Sequence, residues 1–436
     1  MRLPGRIAAA IAVLADLETN RRPVAEALKA WGLANRFAGA GDRAAIGNLV
    51  YDALRRRSSH AFAMGEDTPR ALALSVAVRD WGEAPEALSA AFAEDRFGPD
   101  PITPEELQRL TAADPLADAP ENVQADIPEW LVPHLKQSFG DTWIAEAQAL
   151  ASRPPLDLRV NSLKSGRDRV LKALDRVKAE GGAVPLSIRI PAGAGDSRTP
   201  NVQTDESFLK GWFEIQDQGS QIAALLCGAR GGEQVLDLCA GAGGKTLALA
   251  AAMENRGQIF AHDRDRSRLA PIYDRLKRAG ARNVQVRPPG EGALDDLKAH
   301  MDRVIVDAPC TGSGTWRRQP TAKWKLTPEQ LAQRVSEQAA VLEEAAGYVK
   351  PGGALVYITC SVLPEENAGQ VAAFLEAHPN FTPVEGNRSW MALFAGTPLR
   401  ARFGPEGGIA ISPLSAGTDG FYVAVLQKSS AAGETE

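Results

Sequence analysis

From residue 216 onward, short apolar segments alternate with helical ones, and this rhythm constrains the fold more than any other feature of the chain. Such an alternation is typical of a parallel sheet that carries helices on both faces. Because ligands of these sheets bind beyond the carboxyl ends of the strands, we expect a functional site at that edge. The predicted strands are VLDLCA, QIFAHD, NVQVR, RVIVDAPC and GGALVYITC.

A glycine-rich loop, DLCAGAGGKT (237–246), directly follows the first of these strands and indicates a bound ligand. A phosphate-binding P-loop needs a glycine where this chain has Cys239, and a dinucleotide loop needs one where it has Thr246. A methyltransferase loop instead brings backbone N–H groups close to the carboxylate and ribose of S-adenosylmethionine. Asp263 ends the second strand, nineteen residues after Gly244, a spacing that suits a ribose-binding carboxylate. A nucleotide-like cofactor is therefore predicted.

Two cysteines each follow an apolar strand directly, Cys310 after VIVDAP and Cys360 after LVYIT. The parallel topology predicts that both thiols lie at the same edge as the glycine loop. Carbon 5 of a pyrimidine becomes nucleophilic once a thiolate has added at carbon 6, and a second thiol can assist release of the first. Asp307 can then hydrogen-bond the ring near N3 and the exocyclic amine, and Lys245 can favour the thiolate. The alternative is a pair of buried packing cysteines.

These motifs resemble those of the RNA cytosine-C5 methyltransferases of the Nop/Sun family, in particular the bacterial RsmB-like members. DLCAGAGGKT is similar to the family's cofactor loop, DAPCTGSGTWRRQP to its Asp-Ala-Pro-Cys motif and YITCSVLPEEN to its Thr-Cys motif. RVNSLK (159–164) and TDGFYVAVL (418–426) resemble flanking signatures of the family. GDRAAIGNLVYDALRRR (41–57) is similar to the NusB-like helical domain that precedes the catalytic part in RsmB-like enzymes.

The resemblance implies methyl transfer from S-adenosyl-L-methionine to carbon 5 of cytosine in RNA, and the NusB-like start favours 16S ribosomal RNA. It implies that Cys360 is the nucleophile, that Cys310 assists release and that Asp307 contacts the base. The residues expected to bind the cofactor are Cys239, Ala240, Gly241, Ala242, Gly243, Gly244, Lys245, Asp263 and Asp307.

Two positions depart from the family pattern. Ala242 stands where the loop usually has proline, and Pro288 stands where an acid near the adenine is usual, a role that a shifted Glu291 could take. The missing acid leaves open an RNA-binding ribosome assembly factor with decayed catalysis. A tRNA or DNA cytosine-C5 methyltransferase is also open, because in the DNA enzymes the nucleophile follows proline, as Cys310 does here.

The fold expected is α/β, a doubly wound Rossmann-like methyltransferase sheet preceded by a small α+β module and an all-helical NusB-like domain. The predicted domains are residues 1–128 (helical, RNA-binding, with a linker), 129–212 (linker helix and α+β module) and 213–430 (methyltransferase). No apolar run reaches membrane-spanning length, and the four cysteines are too scattered for a disulfide framework or a metal knuckle. We therefore expect a cytoplasmic monomer that binds RNA, without a membrane or a metal.

Charge is unevenly distributed in the N-terminal region. Residues 1–57 contain ten Lys or Arg and five Asp or Glu, whereas residues 80–126 contain two and twelve. This asymmetry predicts that one side of the region binds a polyanion, the alternative being a solvated helix face. The RNA contacts predicted are Arg55, Arg56, Arg57, Arg317, Arg318, Lys323 and Lys325, with Trp316 or Trp324 either stacked on bases or packed in a core.

Overall fold

The computed structural model describes residues 1–430, whose contacts divide into two compact units. Unit 1 consists of Met1–Arg153, Ala192–Pro200 and Trp316–Lys325, and unit 2 of Pro154–Pro191, Asn201–Thr315 and the chain from Leu326 onward. The predicted boundaries at residues 128 and 212 stay a prediction. The contacts extend the helical unit to Arg153, because helix Trp143–Leu150 packs against helix Glu121–Gln124.

Unit 1 is helical, as predicted for the domain of residues 1–128. Its core contains apolar side chains at helical spacing, such as Ile7, Ala10 and Leu14 of the first helix. Several helices begin with a proline in the first turn, where the missing N–H costs nothing. A π-helical turn, Val76–Asp80, continues one helix. The α-helices are Leu3–Asn20, Val24–Ala34, Ala40–Arg55, Arg57–Met64, Pro69–Ser75, Pro85–Glu94, Pro104–Leu110, Glu121–Gln124, Val132–Phe139, Trp143–Leu150 and Pro320–Lys325.

Unit 2 begins with the predicted small α+β module. Its antiparallel sheet has the strand order β2-β3-β1-β4, and its core includes Leu158, Ile188 and Phe213. The strands are β1 (Leu156–Val160), β2 (Glu180–Gly181), β3 (Ser187–Ile190) and β4 (Phe213–Ile215), and the helices are Arg167–Ala173 and Glu206–Leu209.

The larger sheet of unit 2 contains every strand predicted after residue 216. These are β5 (Gln234–Asp237), β6 (Gln258–His262), β7 (Val284–Arg287), β8 (Met301–Asp307) and β9 (Val349–Thr359), and all of them pair in parallel. Helices alternate with these strands along the chain, as the Rossmann-like expectation requires. The helices of this part are Gln218–Leu226, Gly244–Ala252, Arg266–Leu269, Ile272–Ala279, Pro328–Ala346, Ala368–Ala377, Gly386–Phe394 and Pro413–Ala416.

The C-terminal strands, which were not predicted from the sequence, add an antiparallel part to this sheet. β10 (Phe381–Pro383), β11 (Arg402–Phe403), β12 (Ile409–Ile411) and β13 (Phe421–Lys428) pair antiparallel, and β13 also runs antiparallel to β9. The strand order is β11-β12-β13-β9-β8-β5-β6-β7, with β10 beside β13. Only a short segment joins β12 to β13, and a parallel pair would need a crossover of a dozen or more residues.

The central strands of this sheet are buried on both faces, as their continuous apolar runs require. Val304 and Val306 of β8 belong to the core on one face, and Ile305 belongs to the core on the other. The register pairs Asp307 with Ile358 and Asp237 with Ile305. The carboxyl ends of β5, β8 and β9 therefore lie side by side, and the loops that carry the predicted chemistry begin there.

Candidate active site

The glycine loop leaves β5 at Asp237 and enters helix Gly244–Ala252. Gly241 and Gly243 have φ angles of 50° and 84°, in the left-handed region that glycine adopts without strain. A Cβ atom on Gly243 would lie 2.6 Å from a side-chain carbon of Ile272. This glycine therefore lets the loop pack against the helix that follows β6.

Asp263 lies directly after β6, and its buried carboxylate holds the glycine loop. One oxygen, Oδ2, accepts a hydrogen bond from the Gly241 N–H at 2.9 Å, and Oδ1 accepts one from the Asp265 N–H at 2.9 Å. A carboxylate has about four lone-pair sites, so acceptor capacity for two hydroxyl groups is left. The arrangement fits the ribose contact that was predicted from spacing.

Asp237 was not predicted as a site residue, although it lies at the base of the glycine loop. Its side chain is fully buried, and Oδ2 accepts a hydrogen bond from Thr246 Oγ1 at 2.6 Å. The other oxygen, Oδ1, has no hydrogen-bond partner within residues 1–430, and burial raises the pKa of the carboxyl to about 7. An unsatisfied buried acceptor beside such a loop fits a ligand that brings an N–H donor, such as the ammonium of S-adenosylmethionine. The signal in the sequence is the single acid within the apolar run VLDL.

Lys245 links the glycine loop to Asp307. Its Nζ atom lies 3.1 Å from Asp307 Oδ2 and donates to Ser220 Oγ at 2.9 Å. Gln216 also donates to Ser220 Oγ, at 3.0 Å, and to the Gly244 carbonyl, at 3.3 Å. The Lys245 side chain is buried, whereas that of Asp307 is 33% exposed. Sequence reasoning missed Ser220 and Gln216, because nothing in a polar segment marks which hydroxyl or amide faces the loop.

The two predicted thiols meet at the rim of the sheet. Cys310 Sγ and Cys360 Sγ lie 3.4 Å apart, although 50 residues separate them along the chain. The hydrogen bond with Cys360 and burial raise the pKa of Cys310 well above its ordinary value, so this group is a thiol at neutral pH. Burial also raises the pKa of Cys239, and that of Cys227 to about 12.

The segment after β7 does not supply the acid that the family pattern would place there. Pro288 follows the strand, and both Pro288 and Glu291 are exposed. His262 Nδ1 lies 2.8 Å from the Arg287 carbonyl oxygen, so this strand end is tied to the end of β6. A role of Glu291 near an adenine stays a prediction.

Several of the aromatic and basic residues that follow the Asp-Ala-Pro-Cys motif pack inside unit 1. Trp316 is 1% exposed, so the expectation that it could stack on a base is wrong in this structure and the core-packing alternative holds. Trp324 Nε1 donates to the Leu54 carbonyl at 2.6 Å. Lys323 Nζ donates to the Arg55 carbonyl at 2.9 Å, and burial lowers its pKa to about 8. Lys323 is thus a buried structural cation and is not available to an RNA phosphate.

The three consecutive arginines of the N-terminal region all pair with acids of unit 1. Arg55 is buried and donates to the Arg317 carbonyl at 2.7 Å. The predicted basic face is therefore largely neutralised. The ion pairs are Arg55–Asp52 at 2.9 Å, Arg56–Asp80 at 3.0 Å and Arg57–Asp67 at 2.9 Å.

Two family models match the chain. Residues 224–427 match the family described as 16S rRNA methyltransferase RsmB/F, and residues 127–190 match the ferredoxin-like domain of RsmF/B-like methyltransferases. The methyltransferase part of the chain, residues 224–427, belongs to the RsmB/F family. This match supports the Rossmann-like fold and identifies S-adenosylmethionine as the cofactor. The geometry of the glycine loop fits that cofactor.

Individual relatives agree with this assignment. The ribosomal RNA small subunit methyltransferase B of Enterobacter sp. (strain 638) is 35% identical over 308 residues, which are 69% of this chain and 66% of the relative. The match thus spans slightly less than two thirds of that relative's length. The crystal structure of PH0851 superposes with a TM-score of 0.72 at 25% identity, covering 98% of this chain and 99% of the other. A methyltransferase homologue from Pyrococcus horikoshii gives a TM-score of 0.59 at 26% identity, covering 71% of this chain and 97% of its own.

Neither a membrane span nor a metal cluster was found within residues 1–430. No helix there is long and apolar enough to cross a membrane, and no group of three or more His, Cys, Asp or Glu is arranged for a metal ion. The cytoplasmic location, the monomeric state and the NusB-like character of the helical unit stay predictions.

Proposed function

We propose that this chain transfers a methyl group from S-adenosylmethionine to carbon 5 of a cytosine in RNA, through a covalent bond between Cys360 and carbon 6. The observation that carries the proposal is the pair of thiols, 3.4 Å apart, at the sheet edge that also carries the glycine loop. The family description, which specifies 16S rRNA, supports small-subunit ribosomal RNA as the substrate.

The acids around the glycine loop would hold the cofactor. S-adenosylmethionine supplies an electrophilic methyl group when it is bound. Asp263 would accept hydrogen bonds from ribose hydroxyls, and the unpartnered oxygen of Asp237 would accept one from the ammonium group. The backbone of residues 239–245 would lie against the ligand, because two of its glycines hold the loop in the left-handed conformation.

The two thiols would divide the chemistry between them. Cys360 adds to carbon 6 as a thiolate, and the electron pair that reaches carbon 5 forms the bond to the methyl group. A water molecule then takes the proton from carbon 5, and the electron pair of that C–H bond expels the Cys360 thiolate and restores the ring. We assign the attack to Cys360, as the family resemblance implies, and the assistance of release to Cys310, whose sulfur atom lies 3.4 Å from that of Cys360.

Asp307 would orient the base. Lys245 binds one of its carboxylate oxygens, and a third of the side chain is exposed at the rim of the sheet. The other oxygen can therefore accept a hydrogen bond from the exocyclic amine of cytosine. The ion pair with Lys245 fixes the direction in which this oxygen points.

Bisulfite sequencing of ribosomal and transfer RNA from cells with and without the gene tests the proposal. We expect a bisulfite-resistant cytosine in 16S rRNA that disappears with the gene and returns when purified protein and S-adenosylmethionine are added. A resistant cytosine only in tRNA or in DNA would change the substrate. Tight RNA binding with no methylated cytosine would favour an assembly factor instead.

A further inference from the structure

Glu366 is a fully buried carboxylate behind the two thiols. Its Oε1 atom accepts hydrogen bonds from the Thr311 N–H at 2.8 Å and from Gln338 Nε2 at 2.9 Å. Its Oε2 atom accepts hydrogen bonds from the hydroxyls of Thr311 and Ser361. Each oxygen thus has two donors, so the carboxylate is fully satisfied.

Two of these donors are the residues that directly follow the cysteines along the chain. Thr311 directly follows Cys310, and Ser361 directly follows Cys360. One carboxylate therefore binds the residue after each thiol and joins the loop that follows β8 to the loop that follows β9. Two further contacts join the same loops: the Gly314 N–H donates to the Cys360 carbonyl at 2.9 Å, and Ser313 Oγ lies 2.9 Å from Ser361 Oγ.

A carboxylate is an expensive group to bury for packing alone. Removing it from water costs several kcal/mol unless hydrogen bonds or an opposite charge offset the loss. The donors that Glu366 receives are neutral amides and hydroxyls, so its charge is offset only through hydrogen bonds. An apolar side chain would fill the space at lower cost, but it could not bind both loops.

We propose that Glu366 is a positioning residue that sets the separation of the two thiols by binding the residue after each of them. Its importance for methylation rests on the proposed function, because that mechanism needs Cys360 at carbon 6 of cytosine and Cys310 near carbon 5. Its four hydrogen bonds leave it no free acceptor site, so it acts through the loops rather than on the substrate.

The charge of Glu366 has a second effect on this pair. It adds to the hydrogen bond with Cys360 and to burial in raising the pKa of Cys310. Loss of the charge should therefore lower the pKa of Cys310 even where the geometry is kept, and the pH profile of thiol alkylation would move to lower pH.

Three substitutions separate geometry from charge. Glu366→Gln keeps the length and removes the charge, and its amide can donate to the same two hydroxyls, which also accept. Glu366→Asp keeps the charge but is one methylene too short to reach both loops. Glu366→Ala removes the bridge. Asp157→Ala is the matched control, because Asp157 is an equally buried carboxylate in unit 2 whose partners are Arg189 and the Gln218 N–H.

The first measurement is the single-turnover methylation of 16S rRNA at saturating RNA and S-adenosylmethionine. We expect Glu366→Gln to stay within about threefold of the parent and the Asp and Ala variants to lose about 10²-fold, because displacing a reacting group by about 1 Å has that cost. Affinity for S-adenosylmethionine should be unchanged in all three. An Asp variant more active than the Gln variant would assign the effect to charge, and one equally active would show that the length of the side chain does not matter; either result would overturn the proposal.

The second measurement does not depend on methylation. Diamide, an azo oxidant, takes two electrons and two protons from a pair of neighbouring thiols and leaves one disulfide. We expect rapid pairing of Cys310 with Cys360 in the parent, in Glu366→Gln and in Asp157→Ala, and at least about tenfold slower pairing in Glu366→Asp. Equal rates in all of them would overturn the proposal even if the parent methylates cytosine. The expected order in a parent that methylates nothing would uphold the positioning role while removing the proposed function.

Discussion

Asp52 of unit 1 and Asp237 and Glu366 of unit 2 are all buried acids, but they are satisfied in different ways. In unit 1, Asp52 binds Arg55 and Arg153, so this buried acid has opposite charges beside it. In unit 2, Glu366 is satisfied only by neutral donors, and Asp237 retains one oxygen without a partner within the described residues. A buried charge with an opposite partner is explained by structure alone, whereas a buried acid without one marks a place where function offsets the cost.

The two thiols give the strongest test of this distinction, because the function assigned to unit 2 depends on them. Cys360→Ser should abolish methyl transfer and form no covalent adduct, since a serine hydroxyl is hardly ionised, whereas RNA binding should persist. Cys310→Ser should methylate once and then stall as a linked enzyme–RNA species. Denaturing electrophoresis of the RNA complex distinguishes the two variants.

Two other results would contradict this assignment of the thiols. Near-normal turnover by both serine variants would make them packing cysteines. Adducts with Cys360→Ser and none with Cys310→Ser would move the nucleophile to the strand end of β8.

The next largest effect is expected at Asp263. Asp263→Ala should weaken S-adenosylmethionine binding by about 10- to 100-fold, because charge-assisted hydrogen bonds contribute about 1.5–3 kcal/mol. Calorimetry measures the affinity, and Asp265→Ala is a control at an exposed neighbour outside the proposed contacts. Equal affinity for Asp263→Ala and the parent would exclude this carboxylate from the cofactor site.

The raised pKa of Asp237 predicts that the stability of the protein depends on pH. Its folded-state pKa, about 7, lies above the ordinary value of 3.8, so the folded protein keeps a proton that the unfolded chain loses between these values. Stability of the parent should therefore fall as pH rises from about 4 to about 7, by at most about 1.4 kcal/mol per pH unit for this group.

The variant for this test is Asp237→Asn, which removes the titration but keeps an acceptor for Thr246. Urea unfolding at pH 5 and pH 8 should show the variant gaining stability relative to the parent at the higher pH. A difference between variant and parent that does not change with pH would show that Asp237 is not protonated when folded.

The smallest effect is expected in the basic stretch of unit 1. Two unpaired arginines that contact phosphates would contribute roughly two units to the slope of log affinity against log salt concentration. Because Arg56 and Arg57 pair with acids, changing both to Ala should alter this slope by less. Filter binding across a range of salt concentrations measures this slope. A loss of two full units would show that the ion pairs open when RNA binds and would restore the predicted basic face.

Sequence patterns located the functional edge of the sheet well. Each strand predicted after residue 216 forms a parallel strand, and residues at or directly after the ends of β6, β8 and β9, such as Asp263, Asp307 and Cys360, reach the same rim. A strand's burial and direction are encoded locally, so a residue at its end has a predictable place. The antiparallel β13 was missed because its apolar run reads the same in either direction.

The sequence by itself determined which residue types stand at the strand ends, because periodicity and glycine placement are local properties. Only the tertiary structure decided which polar groups are paired. Folding brings together Arg56 and Asp80, which form an ion pair, and Thr311 and Glu366, which form a hydrogen bond, although each pair is distant along the chain. Local charge counts therefore overstated the basic face of unit 1. For the same reason, the carboxylate that binds both thiol loops stood unnoticed in the motif YITCSVLPEEN. Its role depends on which donors surround it, and that is fixed by packing alone.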